Sequence, residues 1–227
     1  KATDNGGLVT TSTAVGAAPI VAVPGLNLLA NPYQAINNTI AALFPNVPAN
    51  SQILRFNNDF SGFLVNTYIF GAWMDPGMLL SPGEGFMLQL AGSSNVVLNF
   101  QGDVLEGTLT NRVPAGVSWQ GSLVAQAGRL NTDLKFPVQD GDTIKIVTGS
   151  TNTYTFITGL GGWLPSEPVL AVGQGFEVNT STARDWVRVF TLTGVPANQA
   201  PTVSLSASPT TVSTGATVTL TATAADS

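Results

Sequence analysis

Pro82-Gly83-Glu84-Gly85-Phe86 and Val172-Gly173-Gln174-Gly175-Phe176 are one turn written twice, with each residue displaced by 90 positions. Ten residues before the first glycine of each stands a tryptophan, Trp73 and Trp163, and Gly71 and Gly161 precede these in turn. Met78-Leu79-Leu80 ahead of the first turn matches Pro168-Val169-Leu170 ahead of the second. Further upstream, Pro24-Gly25-Leu26 opens one copy and Ala115-Gly116-Val117 the other, at an offset of 91, and Val47 to Phe56 parallels Val138 to Val147. A period this long marks a duplicated small domain, because solenoid repeats run about 20–50 residues.

Within each copy the apolar residues alternate, as in Ile53 and Arg55 against Leu54 and Phe56, or Ile144 and Ile146 against Thr143 and Lys145. Period two is the signature of half-buried strands. Asn57-Asn58-Asp59 with Gly62 separates Ser51–Phe56 from Phe63–Phe70, and Gly149-Ser150-Thr151-Asn152 separates Thr143–Thr148 from Thr153–Ile157, so both pairs read as hairpins. Gly85–Leu90 with Asn95–Gln101, and Gly175–Asn179 with Trp186–Leu192, read as further hairpins. One helix of about two turns is expected where Ile36, Ile40, Leu43 and Phe44 share a face, with Asn37 or Asn38 as cap and Pro45 as stop.

From Gly194 to Pro201 the chain is polar and proline-bearing, as linkers are. Beyond it Val203, Leu205 and Ala207 alternate with Thr202, Ser204 and Ser206, and Ala216, Val218, Leu220 and Ala222 alternate with threonines. Two strands with one apolar face are marginal alone in water and need a partner surface. The natural chain continues past Ser227, or these strands complete a sheet in their own or a neighbouring subunit. The expected divisions are an N-terminal strand segment 1–24, repeat domains 25–112 and 113–194, and a linker with incomplete strands 195–227.

Charged side chains make up 9% of the 227 residues, against about 25% in ordinary soluble domains. With no His and no Cys, an imidazole base, a thiol nucleophile, a thiolate zinc site and a disulfide are all excluded. The net charge of −5 lacks the basic footprint that nucleic acid requires. The most apolar N-terminal stretch, Val15 to Ala30, is too short for a transmembrane helix and holds Pro19 and Pro24, so no membrane span is expected. Polarity supplied by Thr, Ser, Asn, Gln and Gly suits a secreted, extracellular or cell-surface protein whose export signal has been removed.

Gly25-Leu26-Asn27-Leu28-Leu29-Ala30-Asn31-Pro32, Trp73 and Pro82-Gly83-Glu84-Gly85-Phe86 resemble the paired repeats of exported bacterial proteins with a Gly-x-x-Leu-x-Ala-Asn-Pro start, a Trp and a Pro-Gly-Glu-Gly-Phe turn. The second copy matches through Pro114-Ala115-Gly116, Pro137 to Asp142, Trp163 and Val172 to Phe176, and departs at Gly121-Ser122. The resemblance implies export and a β-rich fold, and no reaction. Asn198 to Val203 resembles the opening of bacterial immunoglobulin-like modules, of which residues 198–227 would supply the first two strands.

Three motifs invite chemistry. Glu84 between glycines could be an acid, base or metal ligand, but Gln174 replaces it in the duplicate, so the common need is glycine geometry and a polar cap, with Phe86 and Phe176 packed inward. Asn57-Asn58-Asp59-Phe60-Ser61-Gly62 starts like a calcium loop, but Tyr68 stands where the bidentate Glu belongs. Asp140-Gly141-Asp142 reads as a turn. No carboxylate pair among Asp75, Asp103, Glu106 and Glu167 has spacing that marks a glycosidase. No catalytic residue, metal or cofactor is therefore expected, and the protein reads as a non-enzyme.

The expectation is an all-β chain of two duplicated β-sandwich-like domains with one short helix, plus a partial immunoglobulin-like strand pair. Its function reads as a subunit of a self-assembling filament, appendage or surface layer. Donor strands would come from Leu8, Val9, Ile20 and Val21 at one end and from Val203, Leu205, Val212, Val218 and Leu220 at the other. Trp73, Gly83, Gly85, Phe86, Trp163, Gly173, Gly175 and Phe176 are the structural repeat residues. The partner is then a copy of the chain itself, forming a homo-oligomer or polymer. The alternative is a carbohydrate-binding or adhesive module with glycan partners, using Trp119 or Trp186 as stacking faces.

Overall fold

Alternating apolar residues over most of the chain make strands the dominant element of this computed structural model, which describes residues 2–3, 9–10, 14–57, 60–192, 202–208 and 219–225. Two short strands, β1 (Ala2–Thr3) and β2 (Val9–Thr10), pair antiparallel. The first copy then runs β3 (Val15–Ala22), β4 (Gly25–Ala30), α1 (Ile40–Leu43), β5 (Gln52–Phe56), β6 (Phe63–Ile69), β7 (Ala72–Trp73), β8 (Gly85–Leu90) and β9 (Val96–Asp103). The second runs β10 (Gly107–Val113), β11 (Gly116–Gln120), β12 (Gly128–Arg129), β13 (Thr143–Thr148), β14 (Ser150–Ile157), β15 (Gly162–Leu164), β16 (Val169–Leu170), β17 (Phe176–Thr180) and β18 (Arg184–Phe190). Finally β19 (Thr202–Ser208) and β20 (Thr219–Ala225) form an antiparallel pair of their own. Contacts divide the chain into the body, Ala14–Leu192, and a second unit of Lys1–Thr13 with Thr193–Ser227.

The fold is all-β, and in the body each copy builds a two-layer sandwich. Strands β4, β8, β5, β6 and β7 lie side by side, and β11, β17, β13, β14 and β15 repeat that order. Thr148 pairs with Asn27, which joins the halves into one ten-stranded sheet. The ribbon β3–β9 forms the second layer of copy one, and β10–β18 that of copy two. Ala22, Leu98 and Phe100 of the first ribbon meet Ile53, Phe86 and Leu88 of the sheet, while Val113 and Trp186 of the second meet Ile144, Phe176 and Val178. Each large apolar side chain so buried contributes roughly 1.5–3 kcal/mol.

Several expectations need correction. Gly85–Leu90 and Asn95–Gln101 do not form a hairpin: β8 pairs with β4 and β5, whereas β9 pairs with β3 in the other layer. The same holds for β17 and β18. These segments are arches, and alternation alone cannot separate the two, since Leu90 and Leu98 must face inward in either case. The helix has one turn instead of two, capped at Thr39 without a side-chain bond. Asn38 Oδ1 instead accepts from Ala35 N and Asn31 Nδ2, and Ile36 is fully exposed. The second hairpin turns at Gly149 alone, with Thr148 opposite Ser150.

The copies also begin one strand earlier than their motifs indicate. Residues 15–22 pair along their length with residues 96–103, as 107–113 do with 184–190. Ile20 and Val21 are therefore engaged in the chain's own ribbon and are not free donor residues. Ile20 packs at the edge of the first core and fills the space that a side chain at position 173 would need.

Candidate functional site

The duplicated turn is where the two copies meet. Gly83 and Gly173 hold φ of 78° and 77°, a region that only glycine enters freely. A Cβ at Gly85 would come within 2.6 Å of Gln120 N, and one at Gly175 within 2.5 Å of Leu29 O, so both glycines are required by close backbone approach. Phe86 and Phe176 are fully buried. The middle residue does the same work twice: Ser81 N donates to Glu84 Oε2 at 3.2 Å and Ala171 N to Gln174 Oε1 at 3.0 Å. Glu84 has one partner its twin lacks, Arg55, whose Nη1 lies 2.9 Å from Glu84 Oε1.

Contacts between the copies are reciprocal. Leu29 bridges to Gln174 and Gln120 to Glu84; Ala30 N donates to Gly173 O and Gly121 N to Gly83 O, both at 2.9 Å. Since Leu29 corresponds to Gln120 and Glu84 to Gln174 under the sequence offset, the halves are related by an internal pseudo-two-fold.

This symmetry produces two matched clefts at the junction. The first, of 540 Å³, is lined by Arg55, Phe56, Asn57, Phe60, Leu79, Ser81 to Gly85, Asn111, Arg112, Trp119 and Gln120. The second, of 480 Å³, includes Ile20, Val21, Leu29, Tyr33, Thr148, Ala171, Val172 and Gln174. At equivalent positions the first carries Ser81, Glu84, Asn111, Arg112 and Gln120 where the second carries Ala171, Gln174, Ile20, Val21 and Leu29. In the first cleft Asn111 Nδ2 donates to Gly121 O at 2.6 Å, and Gln120 Nε2 to Ser118 Oγ at 3.0 Å. Arg112 pairs with Asp185 at 2.9 Å on the surface. Trp119 stacks on Phe63 with centroids 5.0 Å apart, meets Phe56 edge-on at 4.9 Å, and donates Nε1 to Glu177 at 3.1 Å. In the second cleft burial raises the Tyr33 phenol above its ordinary pKa.

The other predicted residues fall as follows. Trp73 is a core plug whose Nε1 donates to Phe44 O at 2.8 Å. Trp163 is only half-buried, and its Nε1 has no partner among the described residues. Trp186 takes the equivalent role in copy two, donating to Leu134 O at 2.9 Å, and at 2% exposure it offers no face to a ligand. Of the loop 57–62, residues 58 and 59 lie outside the described residues; Asn57 Oδ1 accepts from Gly62 N at 3.3 Å. Asp142 is buried against Arg184, and Asp140 Oδ1 accepts from Thr158 N at 2.6 Å. Among the described residues no three His, Cys, Asp or Glu side chains gather as a metal site. No helix among them is long and apolar enough to cross a membrane.

Val9 lies in β2, Val203 and Leu205 in β19, and Leu220 in β20; Leu8, Val212, Val218 and the linker 193–201 lie outside the described residues. Sequence reasoning passed over Arg55, Asn111, Arg112 and Gln120. The signal was available in the repeat itself, since the offset of 91 sets Arg55 against Ile146 and Arg112 against Val21. No family model, no curated protein and no solved structure matches this chain.

Proposed function

We propose that this chain is a structural protein of an extracellular or cell-surface assembly, built by joining copies of itself through sheet edges. The observation that carries the reading is the pair of open edges on the ten-stranded sheet. Strand β6 is covered by β7 only from Tyr68 onward, and Phe63, Leu64 and Val65 are each 42–55% exposed on the uncovered part. At the equivalent place in copy two, β15 covers β14 only from Thr155, which leaves the polar run Ser150 to Tyr154. An apolar, uncovered edge strand is a template for pairing with another chain. Joining the β6 edge of one molecule to the β14 edge of the next is a head-to-tail contact, which leaves one edge of each kind free and so propagates. Low charge, 9% of residues, weakens the repulsion that keeps monomers apart.

Electron microscopy and light scattering of the intact chain and of Val65→Lys test this. Fibres or layers from the parent and particles from the variant are expected, because an edge lysine opposes strand addition. Assembly by Val65→Lys at the parent's concentration, or a parent that stays monomeric, would falsify the edge model. Removing residues 198–227 then separates edge pairing, which survives, from donation by β19 and β20, which does not. The alternative of an adhesive module is favoured by one feature, the polar cleft beside Trp119.

A further inference from the structure

Gene duplication has supplied an internal control for a binding site. The two clefts share the strand pairing and the duplicated turns and differ in the hairpin beside them, loop 57–62 against Gly149, so the side chains that differ at matching strand and turn positions are not demanded by the fold. One cleft is lined by neutral residues alone; the other carries Arg55, Glu84 and Arg112 in a chain that has little charge.

We propose that the cleft between Arg55, Glu84, Asn111, Arg112 and Trp119 binds a neutral saccharide. Its volume of 540 Å³ falls within the range of small-molecule sites. Each cation on its wall is matched by a carboxylate, Arg55 by Glu84 and Arg112 by Asp185. The cleft therefore offers no excess charge to a phosphate or a carboxylate ligand. It offers instead donors and acceptors side by side: the guanidinium groups, the Glu84 oxygens, and the Asn111 Oδ1 and Gln120 Oε1, to which no described residue donates. A sugar hydroxyl both donates and accepts, so it is the neutral ligand group that uses such a wall fully. Phe60, 41% exposed, adds an aromatic border for the C–H face of a pyranose ring, with Phe56 beside it and the buried Trp119, stacked on Phe63, behind the wall. The second cleft has Ile20, Val21 and Leu29 at the matching places and no charged side chain in its lining, its polar groups being those of Asn27, Tyr33, Thr148 and Gln174.

This inference does not depend on polymer formation, because the cleft lies within one molecule. The test rewrites the first cleft with its twin's residues, Arg55→Ile with Glu84→Gln, which leaves the Ser81 cap available as Gln174 does for Ala171. Arg112→Val, at a side chain 65% exposed, gives a second variant whose folding is not at risk. Intact protein is applied to an array of neutral and anionic oligosaccharides, and hits are titrated by tryptophan fluorescence. Expected are retention of neutral oligosaccharides by the parent and binding weaker by about tenfold or more in the double variant, the scale of a lost hydrogen bond to a charged group. Arg112→Val should weaken the same ligands. Retention of no sugar, retention of anionic sugars alone, or equal binding by parent and Arg112→Val would each overturn the proposal.

Discussion

Ala30 and Gly121 face each other across the pseudo-two-fold, and a Cβ built on Gly121 would overlap the Ala30 Cβ. They occupy the same place in the two copies, so only one of them can carry a side chain. This accounts for the glycine that replaces Ala30 in the second copy, though not for Ser122 and Leu123 in place of Asn31 and Pro32: where the copies touch on their axis, two alanines would collide.

Gly121→Ala should therefore destabilise the body by about 1–3 kcal/mol, as overpacking does. Ala30→Gly in the same chain should recover most of that loss, since it removes the opposing methyl. Denaturant unfolding of both single variants and the double variant reads the coupling. Additive effects would refute a steric origin.

Trp73 and Trp163 are sequence equivalents with unequal roles. Trp73→Phe strands the buried Phe44 carbonyl and should cost roughly 1–3 kcal/mol. Trp163→Phe removes an N–H that has no partner among the described residues and should change stability far less. Thermal unfolding of the two variants side by side shows the difference.

Asp142, 1% exposed, is held by the Arg184 guanidinium, which also lies over the Phe136 ring at 5.3 Å. Arg184→Met would leave that carboxylate buried without its cation, a loss of about 3–5 kcal/mol. Arg184→Met with Asp142→Leu should be more stable than Arg184→Met alone, and equilibrium unfolding compares them.

Asp133 titrates below the ordinary carboxylate range, chiefly because it accepts the Arg129 backbone N–H, and further because it bonds the Arg129 side chain. A depressed folded value means that its contribution is present above the unfolded value near pH ~4 and lost as pH falls through the folded one. NMR titration should find Asp133 protonating below a free aspartate, and in Asp133→Asn the acid limb of stability should be slightly flatter.

The duplication, the β class and the buried Phe86 and Phe176 were legible in the chain because they rest on local facts. Alternation states which side of a strand is apolar, and a glycine repeated at the same offset states where the backbone must turn or touch. Residues 15–22 belonged to the first copy without a motif to announce it, since a strand paired with a partner 74–88 residues away carries no local mark of that partner.

Sequence by itself determined the repeat, its glycine turns and the absence of imidazole and thiol chemistry. Tertiary structure alone decided that 85–90 and 96–103 form an arch, that the copies fuse into one sheet, and that Arg55 and Glu84 meet Asn111 and Trp119 across the junction. The physical reason is that alternation is a property of one strand, whereas pairing and cleft formation are properties of two, and the second partner is chosen by packing over long separations.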